Sequence, residues 1–347
     1  MGDAERTRPN TVFVVGAGAS YEAGLPVGDK LKKTIATKLD LKFEHFSKLV
    51  GAGDPRIYEV LRAKHGNEIN EYLQACWAIR DGVTLSPSID DFIDTHQGDP
   101  RIAVCGKLAI ARSIAEAENA SKLSFSRDNI YNTINFEALE STWYQPFFRW
   151  LHRGIPRERR NELFANVTII CFNYDRCIEH FLVEAIAAHF LIPKEEARTI
   201  AGTVSILHPY GTIGDLHSVE FGAGSSRLNY DSVMSSLRTY TEQVADTKSL
   251  AAIKSAVLNS ETLIFLGFAF HPNNMAVLWP SVSDRRSKRI FFTRHGVSDQ
   301  DTGIIRQTLI QMRGGSVPEF YSADTCAKLF DEYKLGLRAL SKSPNPT

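Results

Sequence analysis

Four short stretches hold residues able to do chemistry, and each sits at the end of an apolar run of strand type. Gly16-Ala17-Gly18-Ala19-Ser20 follows 11–15, and Phe172-Asn173-Tyr174-Asp175 follows 167–171. Leu207-His208-Pro209-Tyr210-Gly211 closes the run 204–207, and Gly267-Phe268-Ala269-Phe270 follows 262–266. Ligands of open α/β sheets bind beyond the carboxyl ends of the strands. The first stretch suits an anion: glycines let the backbone approach a phosphate, and the N–H groups of a following helix start favour negative charge. The third brings an imidazole that titrates near neutrality.

Each stretch also has a plainer reading. Small-residue turns after buried strands are common, and Ser20 can simply cap the next helix. Asp175 can serve as a first-turn acid of a helix beginning near Tyr174. Packing is the default role for Gly267 and Phe268. The chain has 10 histidines, and an arbitrary one is a surface or satisfied core residue far more often than a catalyst. His271 follows an apolar run too, but Pro272 and Asn273 after it read as loop. The dehydrogenase form of the glycine turn is broken, because its third glycine falls on Tyr21. Asp40 has the spacing of a ribose-binding acid, yet it follows a helical pattern rather than a second strand.

The elements that must position these residues follow from periodicity. Strand-like runs at 11–15, 167–171, 204–207, 262–266 and 289–293 alternate with amphipathic patterns such as Ile178, Phe181, Leu182, Ile186 and Ile304, Ile305, Leu309, Met312. This alternation predicts an α/β fold, a Rossmann-like parallel sheet with helices on both faces. Leu31, Ile35 and Leu39 start a helix after the glycine turn. From 41 to 164 the periodicity is helical, with Ile69, Tyr72, Leu73 and Cys76 on one face and Phe136, Leu139 and Trp143 on another. Convincing strands are absent there, so the stretch reads as a large helical insertion after the first strand, with a polar loop at 122–133. The expected division is a Rossmann domain from 11–40 and 165–322, the insertion at 41–164, and a C-terminal helix and tail at 323–347. Leu329, Phe330, Tyr333, Leu337 and Leu340 mark that last helix.

Composition narrows the function. The 347 residues carry 40 basic and 40 acidic side chains, and without a basic excess or stripe direct nucleic-acid binding is not expected. The 5 cysteines include no Cys-x-x-Cys pair, which removes zinc-ribbon and thioredoxin-type motifs and suits a reducing compartment. Residues 1–10 are polar, and no apolar run approaches the length of a membrane span. The expectation is a cytoplasmic protein without membrane association.

Taken together and in this order, the motifs resemble those of sirtuins. Gly16 to Ser20 with Gly24-Leu25-Pro26 is similar to their opening NAD-binding motif, and Asn173 with Asp175 to their Asn-x-Asp signature. His208-Pro209-Tyr210-Gly211 stands where sirtuins carry a His-Gly pair. Gly267-Phe268-Ala269-Phe270 with Asn273-Asn274 resembles a Gly-Phe-Ser-Phe segment of bacterial sirtuin-like proteins, and Ser88-Ile89-Asp90-Asp91-Phe92 looks like an acidic-aromatic element of the same proteins. The resemblance spans about 11 to 295. Its departures are the missing zinc cysteines and the two extra residues within the histidine motif.

The resemblance implies NAD+ as substrate, no zinc, and kinship with the zinc-free branch whose members are similar to NAD+-consuming effectors of antiphage defence. It implies that Asn173 and His208 are catalytic, the amide orienting a ribose hydroxyl or the attacking water and the imidazole accepting a proton. Gly16, Ala17, Gly18, Ser20, Pro26, Asp175, Gly267 and Phe268 would contact the dinucleotide, Asp175 near nicotinamide. Breaking the nicotinamide–ribose bond passes through an oxocarbenium-like state. An NAD+ glycohydrolase is thus the first expectation, with a non-catalytic NAD+ or ADP-ribose-binding regulatory subunit as the alternative. Deacylation or ADP-ribosyl transfer lacks any sign of an acceptor channel. Control is expected through a homo-oligomer or a defence partner such as a helicase-type ATPase or an Argonaute-like protein, with the insertion and the C-terminal helix as contact surfaces.

Overall fold

In the computed structural model the described residues are 8–44, 48–126, 128–129, 131–222, 229–279, 288–311 and 318–338. The chain starts with β1 (Thr11–Val15), α1 (Ala17–Tyr21) and α2 (Gly28–Lys38), then a hairpin of β2 (Lys42–Glu44) and β3 (Lys48–Val50). Helices α3 (Pro55–His65), α4 (Ile69–Gly82), α5 (Ile89–Thr95), α6 (Pro100–Ala120) and α7 (Tyr144–Leu151) lead to β4 (Val167–Cys171). After it come α8 (Cys177–Phe190), α9 (Lys194–Ala201) and β5 (Ser205–Leu207), followed by α10 (Tyr230–Ser236), α11 (Tyr240–Ala245) and α12 (Thr247–Asn259). The chain continues with β6 (Thr262–Leu266), α13 (Pro272–Leu278), β7 (Arg289–Thr293), α14 (Asp299–Gln311), β8 (Glu319–Ala323), α15 (Cys326–Glu332) and α16 (Lys334–Arg338).

Six strands form one parallel sheet in the order β5-β4-β1-β6-β7-β8, the doubly wound Rossmann arrangement. All five residues of β1 are buried, because the strand is central and covered on both sides. Its side chains alternate between two cores. Val12 and Val14 join Ile170, Leu263, Phe265 and the helices α2 to α6, while Phe13 and Val15 join Ile169, Ile264, Leu266, α7, α8 and α15. Register completes the frame: Val15 lies level with Cys171 on one side and Leu266 on the other. The loops starting at Gly16, Phe172 and Gly267 therefore leave the sheet side by side, at the point where strand order reverses.

The segment 41–164 divides between the two faces instead of packing as one layer. Ile57, Leu61, Cys76, Ile79 and Leu108 belong to the first core, and Leu139, Trp143, Phe147 and Leu151 to the second. A buried charge network ties α2 to α3 and α6: Asp54 accepts from Arg112 Nε at 2.8 Å and lies 3.4 Å from Lys38 Nζ. On the other face the Glu22 carboxylate accepts from Trp143 N at 2.8 Å and Ala327 N at 3.1 Å, fixing the starts of α7 and α15 beside the glycine turn.

Several expectations need correction. The β2–β3 hairpin lies inside the stretch read as strandless, its strands of three residues being too short to show a period. Phe136, Leu139 and Trp143 do not share a helix: a 3-10 turn covers Glu137–Leu139, and α7 begins only after Trp143. β8 escaped the sequence because it is a half-exposed edge strand with polar Glu319 and Ser322 among its aromatics. Ile304 is exposed on α14, whereas Ile305 and Leu309 are buried. Met312, Leu340, the first seven residues and the Ser-Pro-Asn-Pro tail lie outside the described residues.

Candidate functional site

At the switch point the glycines meet each other. Gly18 N donates to Gly267 O at 3.0 Å, and Gly16 N to Leu266 O at 2.9 Å. A Cβ on Gly16 or Gly18 would lie 2.6 or 2.8 Å from the Gly267 backbone, and one on Gly267 only 2.0 Å from Ala19 N. Gly267 also has φ +58°, in the region that favours glycine. The missing side chains thus let two loops cross in contact. Gly18 and Gly267 form the floor beneath the cleft, where their packing against each other is what the structure shows. Gly16, Ala17, Ser20, Pro26, Asn173, Asp175 and Phe268 do line that cleft, whose volume is about 280 Å³.

Asn173 presents its side chain to the cleft because β4 ends two residues earlier and the next turn starts α8. Its Nδ2 donates to Gly16 O at 3.1 Å and to Ser20 Oγ at 2.9 Å. These bonds use the amide's donor side, leaving the carbonyl oxygen to accept from a ligand. Ser20 is buried, and among its contacts is the Asn173 amide, so it orients that side chain rather than capping a helix. Asp175 accepts from Cys177 N at 3.1 Å, the helix-start role foreseen for it, although α8 starts at Cys177 and not near Tyr174. Burial pushes the Asp175 carboxyl up, opposed by hydrogen bonds from Cys177 and Ser20.

His208 faces elsewhere. It lines a second cavity, of about 290 Å³, with Arg176, Glu179, Arg198 and Asp215. Its Nδ1 lies 3.4 Å from the Asn173 backbone carbonyl, and Nε2 lies 2.6 Å from Glu179 Oε1. The Asn173 main chain therefore separates the imidazole from the cleft that receives the amide. Burial acts to lower the His208 pKa, but the Glu179 carboxylate and the Cys171 thiol outweigh it and hold the ring well above its usual value. In this arrangement the imidazole lines the β5-side cavity, whereas the Asn173 amide lines the glycine-side cleft. The neighbouring Arg176 is likewise paired, at 2.5 Å from the fully buried Glu118.

Tyr210, immediately before Gly211, is the residue of that motif that lines the cleft. Gly211 has φ +71°, and a Cβ there would lie 1.7 Å from Ser236 O, which explains the glycine. Arg238 N bonds Tyr210 O at 2.9 Å, and the Tyr210 hydroxyl donates to Asn274 Oδ1 at 2.8 Å. The outer wall comes from α5, within the segment 41–164. Ser88 caps this helix, accepting from Asp91 N at 3.0 Å, and so aims Asp90 and Asp91 at the opening. Asp90 accepts from the Tyr174 hydroxyl. Burial, with Asp91 nearby, pushes Asp90 up to about 6 despite that bond. Asp91 lies 3.7 Å from His271 Nε2, and Asn273 Nδ2 donates to it at 3.4 Å. The loop before α13 reaches this position through Phe270, which sits at φ +54°.

Sequence reasoning missed Tyr210, His271 and Lys32 as cleft residues and treated Asp90–Asp91 as a side match. The available signal was the Ser-x-x-Asp pattern before Phe92, an N-cap signature that announces a helix start carrying two acids. Among the described residues no group of three His, Cys, Asp or Glu side chains is placed to hold a metal ion, and no helix is long and apolar enough to cross a membrane.

Residues 167–315 match the family described as the SIR2-like domain. The match runs from β4 beyond α14 and includes the Asn173, His208–Gly211 and Gly267–Asn274 stretches. The glycine turn and α5 lie outside it. No curated protein matches the chain.

Proposed function

We propose that this chain, which carries a SIR2-like domain over residues 167–315, binds NAD+ in the switch-point cleft and hydrolyses its nicotinamide–ribose bond to nicotinamide and ADP-ribose. A SIR2-like domain is consistent with NAD-related activity. The observation that carries the reading is the Asn173 amide, buried and held at 3.1 and 2.9 Å by Gly16 O and Ser20 Oγ, facing a cleft at the carboxyl ends of β1, β4 and β6. Its free carbonyl oxygen can orient a ribose hydroxyl or the attacking water. Nicotinamide leaves as a neutral molecule, so chain residues need only position the sugar, support positive charge on it and admit water. Asn173 does the positioning, Ser20 holds Asn173, and His208 with Glu179 supports the Asn173 backbone from behind. NAD+ depletion by such an enzyme suits an antiphage effector, gated by self-association or by a partner such as a helicase-type ATPase or an Argonaute-like protein.

The test is incubation of the purified protein with NAD+ while nicotinamide release is followed, with Asn173→Ala alongside and with ATPase or Argonaute-like candidates added. Release that disappears in the variant, while its unfolding curve persists, supports the reading. Tight NAD+ binding without release under every condition would replace it with a nucleotide-binding regulatory subunit.

A further inference from the structure

Charge in the cleft is unevenly balanced. Lys32, the lysine among the described residues lining it, is already engaged: its Nζ donates to Ser86 O at 2.6 Å and lies 3.0 Å from Asp29. Asp90 has no lysine or arginine partner among the described residues, and its fixed neighbour is the neutral Tyr174 hydroxyl. Asp91 adds a second carboxylate, with His271 at 3.7 Å. Beside these acids stand the rings of Tyr174, Tyr210 and Phe268. Phe268 packs against Phe172 with ring centroids 5.1 Å apart.

Asp90 also feels His271, the basic ring near it in the cleft lining, but a carboxylate in a partly dehydrated wall with no lysine or arginine partner repels phosphate and is costly without a further cation. Aromatic faces beside it attract a flat cation. We infer that Asp90 is a specificity-determining residue that receives the positively charged pyridinium ring of an oxidised nicotinamide nucleotide and discriminates against the neutral, reduced ring. Tyr174 fixes the carboxylate, and because Tyr174 follows Asn173 in the chain, the charge is anchored one residue from the amide that positions the ribose. The inference rests on the NAD+ reading of this cleft and adds the group that selects the ring's charge.

Calorimetry with three probes tests it: carbocyclic NAD+, which keeps the pyridinium but resists cleavage, NADH, and ADP-ribose, which has no ring. Wild-type protein is expected to bind carbocyclic NAD+ at least about tenfold more tightly than NADH. Asp90→Asn, which retains an acceptor for Tyr174, should erase that gap and leave ADP-ribose affinity within about twofold. Tyr174→Phe keeps the charge and should retain most of the gap. A gap that survives Asp90→Asn overturns the inference, as does wild-type protein that binds all three equally; in both cases nucleotide binding itself stands. Wild-type protein that binds none of the three overturns the NAD+ reading and this inference together.

Discussion

The two cavities flanking the Asn173 backbone differ in how they treat charge. On the side of β5, His208 is matched to Glu179 Oε1 at 2.6 Å and Arg176 to Glu118 at 2.5 Å, so each ionised group faces one of opposite sign, although the second Glu179 oxygen has no hydrogen-bond partner among the described residues. On the glycine side, Asp90 and Asp175 are pushed toward their neutral forms by burial, and neither has a lysine or arginine partner among the described residues. Paired buried charges hold architecture, whereas unpaired ones store a cost that a ligand can relieve. The contrast fits the proposed NAD+ site in the glycine-side cleft and a supporting role for the other cavity.

The largest effect should come from the cleft's floor. Gly267→Ala would place a Cβ 2.0 Å from Ala19 N at φ +58°, and a loss of more than about 4 kcal/mol is expected, read as a collapsed thermal transition. An alanine tolerated within about 1 kcal/mol would mean that the loops do not cross in contact. Next comes Asn173→Ala, expected to slow NAD+ cleavage about 100-fold or more, whereas His208→Gln should slow it less than about tenfold. Equal losses from both would return the imidazole to the chemistry and erase the distinction between the two cavities.

Smaller effects are linked to pH. The folded-state pKa of His208 is raised, so the stability it contributes is fully present below its ordinary value of about 6.5 and is lost as pH rises through the raised value. Glu179→Gln should therefore cost about 1–2 kcal/mol near pH 6.5 and progressively less in alkaline buffer, measured by denaturant unfolding. A gap that widens with pH would reverse the assigned pairing. The Asp90 pKa is also raised, to about 6, so stability is lost as pH rises from the ordinary carboxyl value of about 3.9 to about 6, and the full penalty stands above that. Asp90→Asn should then gain about 1 kcal/mol of stability at pH 8 and nothing near pH 4. A destabilised variant at pH 8 would show that the carboxylate is satisfied and belongs with the structural charges.

Much of this was legible in the chain. Runs such as 11–15 and 262–266, apolar at every position after an opening threonine, announce strands covered on both faces, and the spacing of Ile178, Phe181, Leu182 and Ile186 announces the helix that covers one of them. The order of motifs at strand ends located Asn173, Ser20, Pro26 and Phe268 in one cleft. β8 stayed hidden because an edge strand shares its face with water and carries a mixed pattern. Asp90 and Asp91 were visible as an acidic pair but not as a cleft wall, since α5 reaches the opening only after the segment 41–164 folds back over the sheet.

Sequence by itself determined the layers and the strand ends, because hydrophobic periodicity and turn residues act through neighbours a few positions apart. Which side of the Asn173 backbone His208 would face was decided by tertiary structure. A ring at a strand end is free to turn either way until a partner is brought to it, and Glu179, 29 residues earlier, arrives only when α8 packs against β4 and β5.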